Sequence, residues 1–93
     1  MKSIGKQKGL NNFKYKRVRI YWQDPTSNSE WMSLNKAIEQ TYSWCDDIGY
    51  LLYKDQKKVI IFASHSFDDD GELSVGNTTT YPRSVVKKIE VLE

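Results

Sequence analysis

Apolar and polar residues alternate most cleanly in "YKRVRIYW", residues 15–22. Val18, Ile20 and Trp22 fall on one side of an extended chain, with Arg17, Arg19 and Tyr21 on the other. This predicts a strand with an apolar face and a cationic, aromatic face. The loop chemistry of "QDPTSNSE" ends it. In "SLNKAIEQTY" the period changes: Leu34, Ala37, Ile38 and Thr41 recur at i, i+3, i+4 and i+7 behind Ser33 as a cap. A short helix near 33–42 is predicted, and a helix of that length has to lie on something. Trp31 and Met32 stand where a staple-like contact would fix its entry angle.

"IGYLLYKDQKKVIIFASHSF" holds two β-rich runs around Asp55–Gln56–Lys57–Lys58, which reads as a hairpin. Gly49 inside the first run predicts a bulge or sharp bend. On the second run Val59, Ile61 and Ala63 share one face, and Ile60, Phe62 and Ser64 the other. Apolar residues on both faces predict a strand partly buried on each side. "DDDGE" is a hydrophilic loop and "LSVGNTTTY" a fourth β-segment. Pro82 has no N–H to give a ladder, so pairing lapses there. "VVKKIEVL" resumes as the last strand, with Val85, Ile89 and Val91 as expected core positions.

The chain therefore reads as mainly β with one short helix, in the order β-α-β-β-β-3₁₀-β. Five short strands with a one-turn break at Pro82–Arg83–Ser84 predict a small, strongly bent five-stranded barrel, whose closure would hide the strand edges. Over residues 15–93 this layout resembles the Src-homology-3-like and Sm-like small barrels, which have a 3₁₀ turn before their final strand.

Composition narrows the class. With 93 residues, 39 % hydrophobic and 28 % charged, the chain makes one small globular domain. A single cysteine, Cys45, excludes an internal disulfide framework and a Cys-rich zinc site. No apolar run approaches the roughly 18 residues of a membrane span, and the basic N-terminus has no apolar leader core. No membrane partner is expected, and a reducing, cytoplasmic setting fits. The net charge of +2 is uneven: residues 1–19 carry seven basic residues and no acid, and residues 20–93 seven basic and twelve acidic. Residues 1–13, rich in Gly, Asn, Lys and Gln, read as a flexible basic arm on a single domain of residues 14–93. Such an arm either attracts phosphates or simply keeps the chain in solution.

Catalytic chemistry finds little support. Ser64 and Ser66 alternate with His65 along a strand, so they point away from it, and no acid partner is announced. Cys45 lies beside Asp46 and Asp47, which raise a thiol pKa. In EF-hand register the 68–72 acidic run would place Asn77 where a bidentate Glu is needed. The expectation is a non-enzymatic protein with no cofactor and no metal.

Phosphate or nucleotide binding has more to recommend it. Arg17 and Arg19 share a strand face with Tyr15 and Tyr21, and basic residues among aromatics can clamp phosphate while stacking on bases. Arg83 could be aimed by Pro82 over the barrel end, with Ser84 adding a hydroxyl. Arg17, Arg19 and Arg83 are the phosphate candidates, and Tyr21, Trp22 and Trp31 the stacking candidates. The bland alternative is that Tyr and Arg decorate an exposed sheet face, where they have good propensity. Three Trp, six Tyr and three Phe exceed what one small core needs. Trp22, Trp31, Trp44, Tyr42 and Tyr50 cannot all be interior, so some should line a pocket or a subunit interface. A homo-oligomer is expected on the same ground.

A second resemblance is at the level of sequence. "VRIYWQDPTSNSEWMSLNKAIEQ", "GYLLYKDQKKVIIFASHS" and "YPRSVVKKIEVL" resemble small bacteriophage-encoded proteins with a tryptophan-led loop, an acidic helix and a Pro, Arg-or-Lys, Ser close. The matching positions are Trp22, Asp24, Trp31, Gly49, Pro82, Arg83 and Ser84. The resemblance implies an accessory protein in a bacterial host, where sequestering a nucleotide signal is one way to counter host defence. Two rival expectations stand beside it: an adaptor docking on a host or phage protein through its aromatic surface, and non-specific nucleic-acid binding by the basic arm.

Overall fold

The computed structural model describes residues 13–93. Its elements are β1 (Arg17–Asp24), α1 (Leu34–Ile38), β2 (Ser43–Lys54), β3 (Lys58–Phe67), β4 (Leu73–Pro82), a 3₁₀ turn (Arg83–Val85) and β5 (Val86–Val91). The five strands form one sheet in the order β4-β3-β2-β1-β5, with every neighbouring pair antiparallel. The chain meanders through four strands, and the 3₁₀ turn then returns β5 to the far side of β1.

The alternation in β1 does what its pattern predicts. Val18 and Ile20 are fully buried, opposite Gly49 and Asp47 on β2 and Val91 and Ile89 on β5. Val59 and Ile61 of β3 and Tyr81 of β4 complete the main core, with Trp22, Leu51, Val85, Val86 and Ile89 packed around it. In a flat sheet β1 and β4, three strand spacings apart, would be separated by about 14 Å. The Trp22 and Tyr81 rings are instead 5.6 Å apart, so the sheet folds sharply over its own face.

Two register shifts supply the bend. Leu51 pairs with Ile61 but Tyr53 with Ile60, which leaves Leu52 as an extra residue on β2. Tyr21 pairs with Lys88 but Trp22 with Val86, which leaves Lys87 extra on β5. Bulges of this kind increase local twist and bend the strand. The expected bulge at Gly49 is thus displaced to Leu52. Gly49 is needed for a different reason: a Cβ there would lie 3.0 Å from the Phe62 carbonyl oxygen and 3.0 Å from Ile61 Cδ1.

Barrel closure is the expectation that fails. β4 and β5 are the two ends of the sheet, and no ladder joins them among the described residues. The Trp22 and Tyr81 rings meet across the inner face, and the 3₁₀ turn carries the chain from β4 to β5. The exposed lysines Lys87 and Lys88 also blunt the β5 edge against further pairing.

Beyond Phe62, β3 leaves β2 and continues with β4 as a two-stranded ribbon to Phe67–Leu73. Phe62 is fully buried away from the main core, in an aromatic cluster with Tyr15, Tyr50 and His65. Phe13 joins this cluster, stacked on His65 at 4.5 Å and edge-on to Tyr50 at 5.0 Å. The two-sided burial of β3 is therefore present, with a separate cluster on each side. Of the arm read over residues 1–13, residues 1–12 lie outside the described residues.

The helix spans five residues rather than the ten of the sequence pattern, and none of them is buried. Ser33 caps it, accepting from the Lys36 amide at 3.3 Å. Leu34 and Ile38 are 82 % and 80 % exposed and Trp31 is 100 % exposed, so the expected seat on the sheet and the staple are both missing. Val91, read as core, is 52 % exposed near the end of edge strand β5. No helix among the described residues is long and apolar enough to cross a membrane.

Candidate functional site

Arg83 sits where two turns meet. Pro82 ends β4 in an extended conformation, and the 3₁₀ turn begins with the Arg83 amide donating to the Lys57 carbonyl at 2.9 Å. The turn after β4 is thereby fixed to the β2–β3 hairpin. That hairpin is organised by Asp55, whose Oδ1 accepts from the amides of Lys57 and Lys58 at 2.8 and 2.9 Å. Its Oδ2 accepts the Tyr53 hydroxyl at 2.9 Å. The Lys57 and Lys58 amides, then the Tyr53 hydroxyl, hold the Asp55 carboxyl below its ordinary range. The same hydrogen bond pushes the Tyr53 phenol up.

The result is a shallow, exposed depression lined by Lys54, Asp55, Gln56 and Arg83. Lys57 and Lys58 lie in the same hairpin, and the Lys58 ammonium is 5.7 Å from the centre of the Tyr53 ring. Lys54 and Arg83 thus put two cations on the depression beside the single carboxylate of Asp55, and the hairpin carries two more lysines, Lys57 and Lys58. Ser84 follows on the exposed turn, and its carbonyl accepts from Lys87 Nζ at 3.0 Å. Such an arrangement can take an anion; it offers no nucleophile–base pair.

The arginines of β1 are placed differently. Tyr21 donates its hydroxyl to Glu90 Oε1 at 3.0 Å and accepts from Arg19 at 3.3 Å. Arg19 Nε lies 3.4 Å from Asp46 Oδ2. The hydrogen bond to Tyr21, reinforced by the charges of Asp46 and Glu90, raises the Arg19 pKa further. Lys88 Nζ lies 5.5 Å from the centre of the Tyr21 ring. Arg19 and Tyr21 are thus engaged with carboxylates from β2 and β5. Those acids are invisible in the local β1 pattern because register alone brings them there. Arg17 is exposed at the start of the same face.

Trp22 points to the opposite side. Its Nε1 donates to Asp47 Oδ2 at 3.0 Å, and the Tyr81 hydroxyl donates to the same oxygen. Burial first, then the Asp47 carboxylate, pushes the Tyr81 phenol well above the ordinary tyrosine range. Trp22 is therefore part of the core wall. Cys45 lies opposite it in register. Burial, then Asp24, Asp47 and Asp46, raises the Cys45 thiol, which works against a thiolate nucleophile.

The remaining sequence candidates have local explanations. His65 is half-buried among Phe13, Tyr50, Phe62 and Phe67, and Ser64 Oγ accepts from Asn77 at 2.8 Å. Asp68 Oδ1 accepts the amides of Asp70 and Glu72 at 3.0 and 2.8 Å, the bonding of a tight turn. Trp31 borders a groove on the 25–42 excursion with Asn28, Met32, Ala37 and Gln40.

The seven sequence-predicted site residues thus occupy four places. Arg83 and Ser84 are at the hairpin corner; Arg17, Arg19 and Tyr21 are on the outer sheet face; Trp22 is in the core wall; Trp31 is on the excursion. Local pattern reading missed Lys54, Lys57 and Lys58. The signal was available in "KDQKK", a turn unusually dense in lysine, but its meeting with Arg83 is a tertiary fact. No family model, curated protein or solved structure matches this chain.

Proposed function

We propose that this chain is a non-enzymatic binding protein that takes a phosphate-bearing ligand at the Arg83 corner. The ligand class is a nucleotide or short oligonucleotide. The observation that carries the reading is that Lys54 and Arg83 line one depression, on a hairpin that also carries Lys57 and Lys58 and whose one carboxylate already accepts three hydrogen bonds. A phosphate group brings a charge of about −1.5 to −2. Each exposed cation contributes on the order of 1 kcal/mol or less, so affinity depends on several acting together and weakens with salt. Tyr53, exposed beside Asp55, is the aromatic ring available for stacking at this corner, in place of Tyr21, Trp22 and Trp31, which lie elsewhere.

The meandering sheet with a 3₁₀ turn before a final strand on β1 supports a relationship to the Src-homology-3-like and Sm-like small barrels, in an open form. With the phage-type sequence resemblance, the setting we propose is the cytoplasm of a bacterial host, where a homo-oligomer that holds a nucleotide signal would counter host defence. Calorimetric titration with matched nucleotides and nucleosides tests the ligand class. Heat for nucleotides, none for the nucleosides, and weakening with added salt are expected. No heat from any phosphate-bearing probe contradicts the reading.

A second reading, docking on a protein through an aromatic surface, is favoured by the full exposure of Trp31. Charge reversal at Arg83 would then leave function intact, and Trp31→Ala would remove it. The third, non-specific nucleic-acid binding by the basic arm, predicts a steep salt dependence that disappears when residues 1–13 are deleted; residues 1–12 lie outside the described residues.

A further inference from the structure

The excursion between β1 and β2 is ordered, apolar on one side, and covered by nothing in its own copy among the described residues. Thr26 Oγ1 donates to the Thr41 carbonyl at 2.7 Å and closes its neck. Asn28 Oδ1 accepts the Glu30 amide at 2.9 Å, Ser33 caps α1, and Gln40 Nε2 reaches Met32 Sδ at 3.4 Å. These bonds hold Trp31, Leu34 and Ile38 outward. Leu34 and Ile38 are one helical turn apart and share a face, and Trp31 enters three residues before Leu34. Yet a five-residue helix is far below the roughly 12 residues at which helices hold without tertiary contacts.

We propose that this surface, centred on Trp31, Leu34 and Ile38, is the contact between two copies of the chain. The inference rests on the homo-oligomer part of the function proposed above and gives it a surface. Three considerations select a second copy. The first is area: an exposed Trp with two exposed aliphatics offers roughly 300–400 Å² of apolar surface per copy. With a polar rim, two such patches reach about 1,000 Å², the size of a weak, reversible interface. The second is charge: Glu30, Lys36 and Glu39 give residues 25–42 one basic and two acidic groups. A two-fold arrangement can set Lys36 of one copy against Glu30 or Glu39 of the other, and there is no single-sign field to steer a foreign partner. The third is the core: six buried hydrophobic side chains among the described residues form a small one, and small domains commonly gain stability by association.

Sedimentation equilibrium of the full 93-residue chain between about 5 and 500 μM tests this, since an interface of this size predicts a dissociation constant on the order of micromolar. A concentration-dependent rise to twice the chain mass is expected. Trp31→Ala combined with Leu34→Asp should weaken association by at least about tenfold, with the far-ultraviolet circular dichroism of the sheet retained. Trp44→Ala, on the outer sheet face, should associate as the wild type does. A chain that stays monomeric throughout overturns the inference and leaves the surface to a different protein. So does a Trp31→Ala, Leu34→Asp variant that associates normally. Nucleotide heat at the Arg83 corner is measured separately and can survive in a monomer, so the two failures are distinguishable.

Discussion

The Tyr81 hydroxyl on β4 donates to Oδ2 of Asp47 on β2, across the intervening strand β3. Trp22 Nε1 on β1 donates to the same oxygen. One carboxylate thus gathers side chains from three strands on the inner face of the bend. This polar clasp ties β1, β2 and β4 together across the bend.

Asp47→Ala should therefore destabilise the protein by about 2–3 kcal/mol, because the buried Tyr81 and the half-buried Trp22 lose a charged acceptor together. Tyr81→Phe alone should cost about 1–2 kcal/mol. In the double variant the two losses should not add, since the donor and acceptor are partners. Urea unfolding of the four proteins measures the cycle. Additive losses would mean that the clasp does not act as a unit.

Alkaline pH provides a separate handle on the same residue. The folded-state pKa of Tyr81 is raised, so the folded protein keeps its phenolic proton where the unfolded chain has lost it. This contribution is complete below the unfolded tyrosine value near pH 10 and is lost as pH rises above it, by at most about 1.4 kcal/mol per pH unit. Tyr53 shifts in the same direction through Asp55. Between pH 10 and 12 the stability of Tyr81→Phe should consequently fall less steeply than that of the wild type. Parallel declines in the urea midpoint would count against the shift.

Gly49→Ala forces a methyl group to 3.0 Å from the Phe62 carbonyl oxygen, a backbone atom of the adjoining strand. Overpacking of this kind costs about 1–3 kcal/mol. The thermal midpoint should drop accordingly; an unchanged midpoint would mean that β2 and β3 can move apart at their branching point.

Much of this was legible in the sequence, and the reasons are local. β1 announced itself because Val18, Ile20 and Trp22 alternate with polar partners, and Pro82 announced the break before β5. The overestimated helix shows the limit. Leu34, Ala37, Ile38 and Thr41 have helical spacing, but spacing does not supply a surface to pack on, and the helix stops at Ile38. Arg19 and Tyr21 looked like a free phosphate clamp because Asp46 and Glu90 come from strands far away in sequence. Asp47 carried no motif at all. Its role arises from the bend that brings Tyr81 to Trp22.

Phe13 packs onto the aromatic cluster beside β3. Its ring is half-buried against Tyr50, Phe62 and His65, so Phe13→Ala should lower stability by about 1–2 kcal/mol. Chemical denaturation measures the loss, and no change would return residue 13 to the arm.

The proposed ligand site is tested most directly by amide chemical-shift mapping of the isotopically labelled protein during titration with ATP. The prediction is saturable shifts at Lys57, Lys58, Arg83 and Ser84, absent with adenosine and lost in Arg83→Glu. Shifts confined to Arg17, Arg19 and Tyr21, or none at the hairpin corner, would contradict it.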